Sequence, residues 1–352
     1  MIPRGLIGGE LFSASQTPND SAELNHKSSN PANAVTTKRQ TMKTIMNVIY
    51  STFGLFPLAC FALAQQAPES VSIRVITTFE YPGTGNLTLP QEINDAGDIV
   101  GYYIDLSNAA DRGFVRFSNG NFTAPIVEPN DTCMDTRARG INNSRLVCGE
   151  YHNGADCTAH GFFLMGNNFS EFDVPGSVDT TVIGVNNVAD FCGGFTDGSG
   201  TQQAFVSIGG TITPFSVPGA SVTFASDLNS SNQAVGSYTD SSGITHGYFR
   251  GTNGALHFPI DPPGATLTVL SGNNDSNWIV GAYLDSGGTT HGLFFVPPSR
   301  FFSFDYPGST FTAFTGVNTQ GFICGYYNDD SGIHGFLARV RGVPAANETG
   351  KE

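Results

Sequence analysis

Short apolar runs separated by polar turn sequences follow one another from residue 72 to residue 340. In the last stretch the runs are Phe301–Tyr306, Thr310–Val317, Gly321–Tyr327 and Gly335–Val340. They are rich in β-branched and aromatic residues, which favour strands. The sequences between them, such as Pro-Gly and Asp-Asp-Ser-Gly, favour tight turns. The pattern predicts a unit of four short strands.

The same unit occurs six times along the chain, at spacings of 43 to 47 residues. The Pro-Gly loop of each unit begins at Pro82, Pro129, Pro175, Pro218, Pro263 and Pro307. A turn asparagine follows at Asn94, Asn142, Asn186, Asn229, Asn274 and Asn318. A glycine comes seven residues later, at Gly101, Gly149, Gly193, Gly236, Gly281 and Gly325. Four strands in about 45 residues is the size of a propeller blade.

The repeats predict an all-β fold, a six-bladed β-propeller of four-stranded blades. A further apolar run, Ser72–Phe79, precedes the first repeat, and the last repeat ends with its fourth run. We expect this N-terminal strand to complete the last blade, because that arrangement leaves no open sheet edge at the ring junction. The alternative is an open β-solenoid, which would need polar caps that neither end of the array provides.

Three sequence elements of the repeat resemble the bacterial extracellular repeat family called HAF. They are I-N-x-x-G-x-I-V-G-Y, H-G-F and F-D-x-P-G, and the resemblance covers about residues 72–340. It implies export and a β-rich repeat array, and it implies no catalytic residue. Arg112 and Gln203 replace the histidine of the H-G-F triplet in two units, which argues against a ring of six functional histidines.

The first 64 residues differ from the repeats. Residues 1–41 are polar and aperiodic, which predicts disorder or a mis-assigned start. Residues 42–64 resemble a secretory signal peptide, with Lys43, the apolar run Ile45–Phe61 and an A-x-A cleavage site before Gln65. We therefore expect a secreted, periplasmic or cell-surface protein without a membrane span.

The complete predicted organisation has five parts. They are a start of uncertain status at 1–41, the signal peptide at 42–64, a linker at 65–71, the six-repeat propeller at 72–341 and a disordered tail at 342–352.

Acidic residues dominate the exported part of the chain. Five of the 16 Lys and Arg and three of the 30 Asp and Glu precede Gln65, so the net charge from Gln65 onward is −16. This charge argues against nucleic acid and anionic membranes as partners. It is compatible with cations, neutral glycans or basic proteins, or with simple solubility, and we expect a monomer.

Cysteine positions fall into two groups. Cys148, Cys192 and Cys324 take a repeat position that is valine in the other units, so we expect buried thiols. Cys133 and Cys157 lie outside the consensus and inside one repeat, where a hairpin would bring them together. In an exported protein this predicts a disulfide. No Cys/His metal spacing is present, and we predict no cofactor.

Acids and histidines recur on one predicted face, the face of the Pro-Gly loops. One set of acids comprises Asp105, Asp197, Asp240, Asp285 and Asp329. Clustered oxygens of this kind bind Ca²⁺, but each Asp is equally suited to cap its own turn. The recurring histidines are His160, His246, His291 and His334, which we interpret as structural hydrogen-bonding residues rather than ligands.

Residues that break the repeat are better candidates for a binding site. Trp278 is the only tryptophan, and its ring suits a sugar face, although local core filling is the alternative. Arg137 and Arg139 lie on the inner half of the second unit, where they would bind an anion or pair with nearby acids.

These features favour an exported binding or interaction module whose ligand is a glycan or a protein. Two alternatives stay open, an extracellular polysaccharide hydrolase or lyase and a purely structural surface protein. The chain has no nucleophile elbow, phosphate loop or H-E-x-x-H motif, which makes an enzyme the less favoured reading. Three or more non-repeating polar residues at the mouth of the central channel would favour the enzyme.

Overall fold

A computed structural model describes residues 71–83 and 87–343. Residues 1–70, 84–86 and 344–352 lie outside the described residues, and with them the predicted start, the signal peptide, almost all of the linker and most of the tail. Within the described part, 23 strands form six sheets. No helix in that part is long and apolar enough to span a membrane.

Each sheet is one blade, numbered here from the inner strand outward. The first blade contains β2 (Thr88–Ile93), β3 (Ile99–Asp105) and β4 (Ala110–Arg116). The second contains β5 (Thr136–Ile141), β6 (Val147–Asn153), β7 (Thr158–Met165) and β8 (Asn168–Phe172). The third contains β9 (Ser177–Val185), β10 (Phe191–Asp197), β11 (Gln202–Ile208) and β12 (Thr211–Phe215). The fourth contains β13 (Val222–Leu228), β14 (Ala234–Thr239), β15 (Thr245–Arg250) and β16 (Leu256–Ile260). The fifth contains β17 (Ala265–Asn273), β18 (Ile279–Asp285), β19 (Thr290–Val296) and β20 (Arg300–Phe304). The sixth contains β21 (Thr312–Val317), β22 (Phe322–Asp329), β23 (Gly332–Arg341) and β1 (Ser72–Phe79).

The ring closes through the N-terminal strand, as the sequence predicts. β1 pairs antiparallel with β23, from Ser72 opposite Arg341 to Phe79 opposite Gly335. It thereby becomes the outer strand of the sixth blade, next in space to the first blade. The six-bladed β-propeller is confirmed, and the open solenoid is not the fold.

A ring of six asparagine side chains joins the blades around the central channel. Each Nδ2 donates to the backbone carbonyl oxygen of the ring asparagine in the next blade, over 2.9 to 3.2 Å. The last of these bonds runs from Asn318 to Asn94 and closes the circle. All six side chains are only 3 to 5% exposed. We call the face formed by their turns the Asn face, and the opposite one the Pro-Gly face.

The repeat glycine is required by the close approach of the two inner strands of each blade. A Cβ at Gly149 would lie 2.0 Å from the Arg137 carbonyl oxygen, and at Gly193 it would lie 1.9 Å from that of Thr181. The same clash recurs in the other four blades. The glycine is therefore part of the scaffold and carries no functional information.

The predicted cysteine chemistry is confirmed. Cys133 and Cys157 form a disulfide with a Cα–Cα distance of 5.9 Å, on the Pro-Gly face of the second blade. Cys148, Cys192 and Cys324 are free and fully buried. Burial raises the pKa of each of these thiols, so they are unreactive core residues.

We predict that Asn142→Ala lowers the free energy of unfolding by about 3 kcal/mol. The Asn142 side chain donates to the Asn186 carbonyl oxygen and accepts from the Ser144 and Leu146 amides, and alanine makes none of these bonds. Thermal unfolding measures the effect, with Asn253→Ala as a control that removes one hydrogen bond from an exposed turn. Equal losses in the two variants would show that the ring bonds add little.

We predict that replacing both Cys133 and Cys157 by serine lowers the free energy of unfolding by about 3 kcal/mol. The disulfide closes a loop over a sequence separation of 24 residues, and its loss returns that chain entropy to the unfolded state. Denaturant unfolding of the variant is compared with that of the wild type with and without reductant. A wild-type curve that reductant leaves unchanged, with the bond shown to be broken, would contradict the prediction.

Candidate functional site

The recurring histidines on the Pro-Gly face are held in hydrogen-bond networks. His291 contacts Asp305 through Nδ1 at 2.6 Å and Asp285 through Nε2 at 3.2 Å, and its ring stacks on Tyr283. His160, His246 and His334 have the same kind of acidic and aromatic partners. These are the contacts of structural residues that tie the outer strand of a blade to its third strand.

The acids of that face cap their own turns. Asp240 accepts from the Ser242 and Ile244 amides, and Asp285 accepts from those of Gly287 and Thr289. Asp105, Asp197 and Asp329 make equivalent bonds. Among residues 71–83 and 87–343, no group of three or more His, Cys, Asp or Glu side chains is arranged to hold a metal ion.

The two candidate arginines of the second blade pair with one acid of the first blade and one of the second. Arg137 Nε lies 2.6 Å from Asp111 Oδ2. Arg139 binds both carboxyl oxygens of Glu150, which is almost fully buried. Both guanidinium groups also lie over the Tyr102 ring. Their role as anion ligands stays a prediction, although these contacts already compensate much of their charge.

The Trp278 ring is half-buried between the fifth and sixth blades. It packs edge-on against Phe294, at 5.8 Å between ring centroids, and lies against the cluster that contains Val317 and Val340. A Cβ at Gly321 would approach the indole to 3.2 Å, so the glycine of the next blade makes room for it. The contacts are those of core filling, and a ligand contact at Trp278 stays a prediction.

Two carboxyl groups that the sequence analysis missed meet at the channel mouth on the Asn face. Glu92 and Asp227 each stand two residues before a ring asparagine, where the other four blades have glycine. Together with Asn273, another non-repeating residue, they line a cavity of about 60 Å³. The sequence signal that could have revealed the pair is the replacement of glycine by an acid in two of the six units.

Burial raises the pKa of both groups. Burial is the larger cause for Glu92, whose pKa lies well above its ordinary value, and the nearby Asp227 charge adds to it. Burial also raises the pKa of Asp227, although amide donors from Asn273 and Leu228 oppose the rise. Both carboxyls line the same cavity, where a hydrogen bond between them raises the pKa of Glu92 and lowers that of Asp227.

This channel pair does not fit polysaccharide cleavage. Glycosidases hold their two carboxyls about 5 to 9.5 Å apart so that a sugar or water fits between them. A cavity of about 60 Å³ holds roughly four waters, far less than a sugar ring. Three non-repeating polar residues therefore do converge on the channel, but in a space that excludes the substrate.

A larger cavity, about 520 Å³, lies between the first and second blades. We call it the interblade groove. Its apolar walls include Val115 and Phe117 of the first blade and Val147, Leu164 and Phe169 of the second. Its polar lining residues are Thr123, Arg145 and Asn167. This volume lies within the range of about 300 to 1,000 Å³ for small-molecule sites.

An irregular outer segment in the first blade accompanies the groove. Only two bridges join residues 122–126 to β4, Arg116 to Phe122 and Gly113 to Ile126, and one extra residue lies between them. Pro125 has no amide hydrogen for the sheet. At Thr123 the side-chain oxygen accepts from the Val115 amide. This segment forms one wall of the groove.

Arg145 sits at the rim of the groove. Its backbone has a positive φ of 61°, and Gly97, Asn232 and Asn277 also have a positive φ at the same place in other units. Its side chain is 59% exposed, and its Nε lies 2.7 Å from the fully buried Asp98 carboxylate. The guanidinium lies 5.2 Å from the centre of the Phe117 ring. Arg145 thus combines a fixed orientation with terminal nitrogens that have no partner among the described residues.

Of the comparisons with known proteins, the one with solved structures supports the fold. Neither a protein-family model nor a curated protein sequence matches this chain. A six-bladed fungal lectin from Aleuria aurantia has a TM-score of 0.50 at 11% identity, over 74% of this chain and 99% of the lectin. A lectin from Burkholderia pseudomallei has a TM-score of 0.42 at 12% identity, over 70% of this chain and 82% of its own. TolB from Acinetobacter baumannii has a TM-score of 0.43 at 11% identity, over 73% of this chain and 56% of its own.

We predict that His291→Gln destabilises the protein more at pH 6 than at pH 9, by about 2 °C in melting temperature. Burial alone would lower the pKa of His291, but hydrogen bonds to Asp285 and Asp305 outweigh it and raise the pKa above 6.5. The stabilisation is therefore fully present below the unfolded value and is lost as pH rises through the folded value. Melting curves from pH 5 to 9 measure it.

The control for this prediction is His257→Gln, at an exposed position on β16. It makes the same substitution outside the histidine networks of the Pro-Gly face. A pH-independent effect of His291→Gln would show that the imidazole is not charged in the folded protein.

Proposed function

We propose that this chain is an exported binding module whose ligand is a glycan held in the interblade groove. The groove itself carries the proposal, because it is the larger of the two cavities described here and the only one with room for a sugar ring. Export is supported by the signal-peptide pattern of residues 42–64 and by the Cys133–Cys157 disulfide.

The lining of the groove suits a saccharide. Phe117 and Phe169 offer apolar surface for the face of a sugar ring. Arg145 and Asn167 offer hydrogen bonds to hydroxyl or carboxylate oxygens at the rim. Pairing with Asp98 orients the Arg145 side chain before the ligand arrives, which reduces the entropy lost on binding.

The known propellers fit this proposal without identifying the ligand. The Aleuria aurantia lectin recognises fucose on a six-bladed ring, so the architecture is compatible with a saccharide ligand. At 11% identity the likeness concerns the fold alone. The sugar must therefore be found by experiment.

We predict that a saccharide from a glycan array binds the exported chain and that Arg145→Asn and Phe169→Ile each weaken binding about 10-fold or more. Both replacements preserve the scaffold. Asn occupies the Arg145 position in the fourth and fifth blades, and Ile212 occupies the Phe169 position in the third. Titration calorimetry measures the affinities, and melting curves verify that both variants fold.

Two matched variants serve as controls. Phe301→Ile makes the same change at the equivalent position of the fifth blade, and Arg341→Asn removes an exposed positive charge from the sixth. Both should bind like the wild type within about twofold. The proposal is wrong if no saccharide binds, or if binding survives both groove variants. If a protein ligand binds instead and Arg145→Asn weakens its binding, the groove remains the binding site but its ligand is a protein and not a glycan.

A further inference from the structure

We propose that Glu92 and Asp227 form a proton-dependent brace across the central channel, which joins opposite blades when the pair shares a proton and opposes ring closure when both groups are ionised. This inference is independent of the proposed glycan site, because it concerns the channel and not the interblade groove.

The brace connects opposite sides of the ring. Glu92 lies near the end of β2, the inner strand of the first blade, and Asp227 lies near the end of β13, the inner strand of the fourth. In a ring of six blades, the first and the fourth face each other across the channel. Both stand at irregularities in the pairing of their inner strands. A Cβ at Gly316 would lie 2.8 Å from Glu92 Oε1, and one at Gly184 would lie 3.0 Å from Asp227 Oδ1. The glycines of neighbouring blades therefore leave the space that the two acids fill.

The hydrogen bonds assign the shared proton to Glu92. Both oxygens of Asp227 accept backbone amides, Oδ1 from Leu228 at 2.7 Å and Oδ2 from Asn273 at 2.8 Å. These donors favour the ionised form of Asp227. Glu92 accepts one amide, that of Ile93 at 3.0 Å, and its carboxyl shares the small cavity with Asp227. A neutral Glu92 that donates to an ionised Asp227 satisfies every group of the pair.

The surroundings offer no positive charge to replace that proton. The other titratable side chains that line the channel mouth are Asp95 and Asp275, and no Lys, Arg or His is among the described residues lining it. The thiols of Cys148, Cys192 and Cys324 lie nearby and are neutral. Loss of the proton would place two carboxylates in contact, beside two further negative charges, without compensation.

The direction of the pH effect follows from the pair. Because the folded protein raises the pKa of both carboxyls above their unfolded values near 4, the brace contributes fully below about pH 4. Its contribution is lost as pH rises through the folded values. The ring should therefore be held more tightly in acid than at neutral or alkaline pH.

Glu92→Gln provides a direct test, because the glutamine amide donates to Asp227 at every pH. Between pH 5 and pH 8, the melting temperature of the wild type should fall by about 5 °C relative to this variant. Glu92→Gly, which restores the residue of the other four blades, should lose stability at pH 5 and lose little at pH 8. Each variant is compared with the wild type at the same pH, so the titration of all other groups contributes equally to both melting temperatures.

Asp275→Asn is the matched control. It removes one charge from the same channel mouth, and asparagine already occupies that position at Asn143 and Asn187. Because the Asp275 charge contributes only slightly to the raised pKa of Asp227, the pH profile of this variant should keep most of the wild-type slope. If Glu92→Gln fails to fold, Asp227→Asn tests the same point, because removing the Asp227 charge should reduce the pH dependence.

Carbon-13 NMR of labelled glutamate carboxyls gives an independent readout. The wild type should show a protonated carboxyl at pH 7 that is absent from Glu92→Gln. Parallel pH profiles of the wild type and Glu92→Gln, or a Glu92 signal that titrates near its ordinary value, would overturn the proposal.

Discussion

The hydrogen-bonded ring of asparagine side chains is the constraint on which the arrangement of the blades depends. Each amide reaches the backbone of the next blade, so the distance and angle between neighbours are set six times over, from Asn94 round to Asn318. A buried amide that lost its partner would cost about 1 to 3 kcal/mol. The circle can be complete only if the sixth blade stands beside the first, which β1 makes possible by supplying the outer strand.

Most repeated residues serve this geometry. The repeat glycines let the inner strands approach, and the histidine networks fix the outer ones. Because these repeated residues hold the scaffold together, a binding site must come from positions at which the units differ. The interblade groove meets that condition at Arg145, because the matching residues of the other five units are Gly97, Ala189, Asn232, Asn277 and Gly321.

The sequence was sufficient for features that depend on local pattern. Four runs per unit, a nearly constant period and turn chemistry predicted the blades, and the spare run Ser72–Phe79 predicted the closure. The disulfide followed because Cys133 and Cys157 flank one hairpin. The channel pair was missed because Glu92 and Asp227 are distant in sequence and meet only after the ring has closed. The groove was missed because it arises from an irregular segment with no strand signal.

The channel pair and the groove show two uses of broken symmetry in one ring. An identical glycine in all six units would leave an empty channel, and an acid in all six would crowd it with unpaired charge. Acids in two opposite units allow one proton to satisfy both, which more acids around the ring would not. At the groove the unit-specific residue is Arg145, which stands at the rim of a cavity between two neighbouring blades. The repeated residues therefore define the scaffold, and residues that depart from the repeat distinguish both the channel pair and the groove.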